Sequence, residues 1–417
     1  MSIPLSRLYH YIENIAEEIY GNPVIIYHFY PHGSKKLEEL WPLRPAVWAE
    51  SLCLPNIYCH DQEPLDFDYY ESYKDDYKKC SYAGTANLRK GNIYDCVMLL
   101  HSEKRSANLV AYQQNQYISI YYWNHAILSL DWFRYAQHIS VDKKPVKQFL
   151  IYNRAWSGTR EYRLKFADLL IEYQLVDHCQ TSVGFSDQGT HYNDYAYANT
   201  NWKPTHSLEQ YFSNNITTSN ASAEIELDDY ANTDIEIVLE TLFEDDRLHL
   251  TEKSLRPIAC GQPFMLAATH GSLEYLRSYG FKTFGDIIDE TYDTIVDPKE
   301  RLVALIKSMK EISAWSPEQY RHNVAELKKI ADYNKQHFFS GQFFQQVITE
   351  LKQNLSCAFA EFESTKSTQN WVKRWNKKLQ DPDIIEMLEH NQDLKQPTKT
   401  QFELVYQTAM KYYNHLI

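Results

Sequence analysis

Along the chain, short runs rich in β-branched and aromatic residues alternate with longer polar segments whose apolar positions recur at helical spacing. The runs "NPVIIYHFYP", "NIYCHD", "YDCVMLLHS" and "YISIYYWNHA" lie between turn-forming or polar residues, which predicts strands. Ahead of them, "MSIPLSRLYHYIENIAEEIYG" carries acids inside its apolar period, so an amphipathic helix is expected and not a signal peptide. The pattern then restarts: "FLIYNR" reads as a strand, "TREYRLKFADLLIEYQL" as a helix and "IEIVLET" as a strand. A helix from Glu252 to about Cys260, the strand "PFMLAA" and the helix "SLEYLRSYG", closing at Gly280, follow. Beyond about residue 300 the chain reads as helical, with "RLVALIKSMKEISAW" and "EQYRHNVAELKKIADYNKQHFF" the clearest stretches.

Strands alternating with helices predict α/β layers with largely parallel sheets, and the restart predicts two such layers. The charged, proline-containing stretch "DKKPVKQ" at 142–148 has no periodicity and is the expected linker. The expected division is 1–145, 146–350 and a helical tail, 351–417, that packs back on the body. Two tandem α/β domains imply a cleft between them.

Composition narrows the function classes. At 417 residues the chain can bury a sizeable core, and 44% hydrophobic with 23% charged residues is an ordinary globular balance. A formal charge of −13 offers no global attraction to nucleic acid or anionic membrane, though a local basic groove stays open. The seven cysteines show neither CxxC nor zinc-like spacing, which fits reduced thiols in a cytoplasm-like compartment. No apolar run approaches a membrane span. Tyrosine is enriched, at 33 residues; such rings suit wet sugar or base grooves and equally well pave sheet faces.

Candidate chemistry gathers at strand ends. Thr251 stands at an N-cap position, so free amides and the positive end of the helix dipole face whatever lies beyond it. Lys253 adds a positive charge suited to a phosphate, and Glu252 can accept hydrogen bonds from sugar hydroxyls. The same spacing also describes a capped helix with a solvated Glu-Lys pair. Arg160 and Arg163 open another helix after a strand, where planar guanidinium forks suit diphosphate oxygens or simply decorate a surface. In "HDQEP", His60, Asp61 and Glu63 follow a predicted strand, and one shielded carboxylate there can act as a general base or belong to an acidic turn. His101 and Glu103 in "LLHSEK" form a second polar cluster, structural or acceptor-lining.

Taken together these places resemble the α-1,3-fucosyltransferase family, whose two Rossmann-like domains face a cleft in the GT-B arrangement. "YCHDQEP" resembles the family's "Y-x-G-E-N-x-x-P", with Asp61 at the position of the base and Glu63 close by. "RLKFADLL" is similar to its "R-x-x-F-x-x-x-L", which implies that Arg163 contacts the donor diphosphate. "LET" followed by "HLTEK" looks like "F-E-N-(x)n-V-T-E-K", implying donor-binding roles for Glu240, Glu252 and Lys253. The chain departs from the family at Asp61 in place of glutamate, His60 in place of glycine and Thr241 in place of asparagine. "HDQEPL" and "TEK-x-x-x-PI-x-x-GQPF" are also similar to bacteriophage proteins suspected of glycosylating hydroxymethylated DNA bases.

The fold expected on this basis is α/β, GT-B, with two Rossmann-like domains and a helical C-terminal extension. The resemblance implies a glycosyltransferase using a UDP- or GDP-linked sugar, with no obligatory metal or other cofactor. It implies a single inverting displacement in which Asp61 or Glu63 removes the acceptor proton. The expected setting is cytoplasmic, in a host cell if phage-encoded. A glycan, a protein, a small molecule and modified DNA all remain open as acceptor. A nucleotide-sugar-binding protein without catalysis, or an α/β protein whose matches are accidental, are the alternatives.

Overall fold

The computed structural model describes residues 5–21, 24–28, 56–68, 98–115, 117–214 and 225–365. The chain divides into two compact units: Pro4–Ser102, Ala107–Tyr122 and Thr349–Ile417 form one, and Met1–Ile3, Glu103–Ser106 and Trp123–Ile348 the other.

In the first unit, α1 (Leu5–Tyr20) precedes β1 (Ile25–His28), β2 (Asn56–His60) and β3 (Met98–His101), and α2 (Ala107–Gln114) precedes β4 (Ile118–Tyr121). Leu8, Ile12, Ile15 and Ala16 are buried along one stripe of α1, the spacing of an amphipathic helix. The four strands are parallel and lie in sequential order. Every residue of β3 is buried, as both faces of a parallel sheet require. The register sets His60 beside His101 at the strand ends.

The second unit contains α3 (Asn124–Trp132), β5 (Lys147–Asn153), α4 (Tyr162–Glu172), β6 (Cys179–Val183) and a small hairpin, β7 (Ser186–Asp187) with β8 (Thr190–His191). Then come α5 (Leu227–Ala231), β9 (Thr233–Leu239), α6 (Glu252–Cys260), β10 (Phe264–Ala267), α7 (Ser272–Ser278), α8 (Pro298–Ser313), α9 (Pro317–Phe338) and the start of α10 (Gly341–Thr365), whose residues from Thr349 onward belong to the first unit. Its sheet is parallel with the order β10-β9-β5-β6. The chain therefore steps from β5 outward to β6, then crosses back to add β9 and β10 on the other side.

The α/β reading with parallel sheets and C-terminal helices matches this architecture, and the strands ending at His60 and Asn153 belong to different sheets. The units change over at Tyr122–Trp123, upstream of the expected boundary after residue 145. The charged stretch 142–148 is docked within the second unit. Lys144 and Val146 donate their amides to Ala231 O and Asn232 O, and Lys143 Nζ meets Tyr230 O at 2.7 Å and Thr233 O at 2.6 Å. Unpaired carbonyls beside β9 draw in a segment whose composition resembles a linker. Of the tail, 351–365 continues α10 and packs within the first unit: Asn354 Nδ2 donates to Tyr121 O at 2.6 Å, and Phe359 lies 4.9 Å from the Tyr20 ring. Residues 366–417 lie outside the described residues. Among the described residues, no helix is long and apolar enough to cross a membrane.

Candidate functional site

Open α/β sheets bind ligands outside the carboxyl ends of the strands where the strand order reverses. In the second unit that point lies between β5 and β9. A pocket with a cavity volume of 140 Å³ opens there, walled by the ends of both strands, the turn after β5, and α6. Sites for whole drug-sized ligands run to about 300–1,000 Å³, so this cavity suits a part of a ligand such as its phosphates. Arg154, Arg160, Arg163, Lys253 and Arg256 all line it, against one acid, Glu236.

The α6 wall is built as the pattern predicted. Thr251 is the extended N-cap, its hydroxyl accepting from the Lys253 amide at 3.4 Å, and Gly261 ends the helix at φ 69°. Left-handed backbone of that kind favours glycine. Glu240, fully buried just past β9, fixes this N-terminus. Its carboxylate accepts the Thr251 amide at 3.0 Å, the Thr251 hydroxyl at 2.7 Å and the Ser254 hydroxyl at 2.5 Å. Glu240 and Thr251 therefore hold the wall in place, while Lys253 is the α6 residue of the predicted set that lines the cavity.

The arginines divide in the same way. Arg163, 3% exposed, donates to Ala155 O and Leu239 O at 2.6 Å each and to Glu240 O at 3.0 Å, tying the turn after β5 to the end of β9. Arg160 is half-buried and lines the same pocket. Arg256, which sequence patterning did not single out, pairs with buried Glu236 at 2.6 Å and stacks its guanidinium 4.3 Å from the Tyr152 ring centre. Its spacing of three residues from Lys253 on one helix was the available signal. Arg154 was also missed, although it is the last residue of the predicted strand "FLIYNR".

Glu252 occupies the first turn of α6, its Oε1 accepting from Lys253 Nζ at 2.9 Å. Its Oε2 lies 3.4 Å from His125 Nδ1, on α3. Burial pushes this carboxyl up, but the charges of Lys253 and His125 outweigh it and hold it at about 2. It is thus an anion at neutral pH.

The remaining predicted residues stand elsewhere. His60, Asp61 and Glu63 follow β2 in the first unit. Asp61, 1% exposed, accepts the Tyr9 hydroxyl at 2.6 Å on Oδ1 and the Tyr122 hydroxyl on Oδ2. Burial, reinforced by the Asp61 charge, holds both phenols well above their usual range, so they remain donors. Glu63 is partly exposed. His60 meets the Tyr112 hydroxyl at 3.1 Å, and His101 meets Ser119 Oγ at 2.6 Å. Glu103 belongs to the second unit, where it lies 3.7 Å from Arg247. Among the described residues, no three His, Cys, Asp or Glu side chains cluster as a metal site.

No protein-family model matches the chain, and no curated protein matches it.

Proposed function

We propose that the protein is a glycosyltransferase of GT-B architecture that uses a nucleotide-linked sugar and binds the donor diphosphate in the second unit. The observation that carries this reading is the cationic pocket at the strand-order reversal. Two residues that the motif resemblance assigns to the donor, Arg163 and Lys253, line it together with Arg160. A diphosphate is the leaving group in such a transfer. As the acceptor oxygen bonds to the anomeric carbon, the bond from that carbon to the diphosphate oxygen breaks and negative charge grows on the phosphate. Fixed cations stabilise that charge more than the ground state.

The proton of the acceptor hydroxyl passes, through the same resemblance, to Asp61 or Glu63. Glu63 is the better supported, because both Asp61 oxygens already accept phenol hydrogens. That engagement of Asp61 also favours a second reading, a nucleotide-sugar-binding protein without transfer.

The test is calorimetry and thermal shift with UDP, GDP and their sugars, followed by assay of nucleoside diphosphate release with glycan and hydroxymethylated DNA acceptors. Tight binding with release supports the transferase; binding without release with any acceptor supports the second reading; no binding overturns both.

A further inference from the structure

The Glu252 carboxylate is a buried anion one residue away from a cation that lines an anion pocket. A carboxylate can give such an ammonium one oxygen or both, and with both it holds the ammonium more closely. Here its oxygens are divided. Oε1 takes Lys253 Nζ and Oε2 faces His125 Nδ1. His125 is held for this contact by α3. Trp123, at the start of that helix, is fully buried and donates its indole hydrogen to Leu250 O at 2.9 Å, next to the Thr251 cap. The His249 ring stands edge-on to His125, 5.2 Å between centres.

We propose that His125 is a positioning residue which, by holding one oxygen of Glu252, leaves the charge of Lys253 available to a phosphate-bearing ligand. The inference rests on the donor pocket proposed above and goes beyond it, since no motif points to His125. Removing the imidazole lets Glu252 chelate Lys253, so anion affinity falls even though His125 itself does not line the pocket. Removing the Glu252 charge abolishes the need for His125. An asparagine, whose amide nitrogen takes the place of Nδ1, preserves the contact.

The experiment is calorimetric titration of the full chain with inorganic pyrophosphate, UDP and GDP, using wild type, His125→Leu, His125→Asn, Glu252→Gln and the His125→Leu/Glu252→Gln double variant. His125→Leu is expected to bind about tenfold more weakly, the scale of coupling between contacting residues, with His125→Asn near wild type and the loss absent in the Glu252→Gln background. Unchanged affinity in His125→Leu overturns the inference and leaves the donor pocket standing. A loss that persists with Glu252→Gln also overturns it, because His125 then acts through packing. Binding of pyrophosphate without either nucleotide removes the nucleotide-sugar reading, while the pyrophosphate cycle still decides the role of His125. A wild type that binds none of the three overturns both.

Discussion

Glu240 and Thr251 are joined twice, amide to Oε1 at 3.0 Å and hydroxyl to Oε2 at 2.7 Å, so the end of β9 and the start of α6 form one rigid corner. Glu240→Ala leaves the Thr251 amide and the Ser254 hydroxyl without their buried acceptor. The expected loss is roughly 2–4 kcal/mol in urea unfolding, the scale of several unmade hydrogen bonds to a charged group. A variant as stable as wild type would show that water replaces the carboxylate and that the corner is not rigid.

Ligand affinity and fold stability separate among the pocket cations. Lys253→Ala and Arg160→Ala are each expected to weaken nucleoside diphosphate binding by roughly 1–3 kcal/mol, the scale of a charge-assisted hydrogen bond, with little change in melting temperature. Arg163→Ala is expected to lower the melting temperature as well, since Arg163 holds three carbonyls from two segments. Calorimetry paired with thermal melts distinguishes the classes, and equal melting temperatures for all three would refute the division.

For the base, Glu63→Gln is expected to depress turnover by about 10²–10⁴-fold while sparing nucleotide affinity, because a base acts in the transition state. Asp61→Asn is expected to act mainly on stability, by roughly 1–3 kcal/mol, through the loss of charged acceptors for Tyr9 and Tyr122. Full activity in Glu63→Gln together with a stable, inactive Asp61→Asn would return the base role to Asp61.

Acid stability follows from His60. Burial pushes its imidazole down to about 3, with the Pro64 backbone opposing and His101 reinforcing the shift, against an ordinary value of 6.5. Below pH 6.5 the unfolded chain takes up a proton that the folded chain refuses. Stability therefore falls as pH drops from 6.5 towards 3, by up to about 1.4 kcal/mol per pH unit from this group. His60→Gln, followed by urea unfolding at several pH values, should show a shallower decline over that window. An identical slope in both proteins would assign the decline to other groups.

Local pattern alone determined a good part of this molecule. The N-cap at Thr251, the stop at Gly261, the helix between them, the four strands of the first unit and β5, β9 and β10 of the second follow from neighbouring residues, because capping, left-handed glycine and strand propensity act over a few positions, whereas β6 and the small β7–β8 hairpin carry no such local signal. The residues Arg160, Arg163 and Lys253 were legible for the same reason, each standing at a helix start after a strand. The tertiary structure decided the rest. The reversal between β5 and β9 brings the turn after β5 to α6, a contact across a hundred residues that no local period encodes. Burial then set what these side chains bond: the Glu240 carboxylate accepts the Thr251 amide, and Arg163 donates to backbone carbonyls while it also lines the pocket. The stretch 142–148 has linker composition and becomes a docked strap because Lys143 finds carbonyl partners distant in sequence. His125 lies in no motif, and only the packing of α3 on α6 places it beside Glu252.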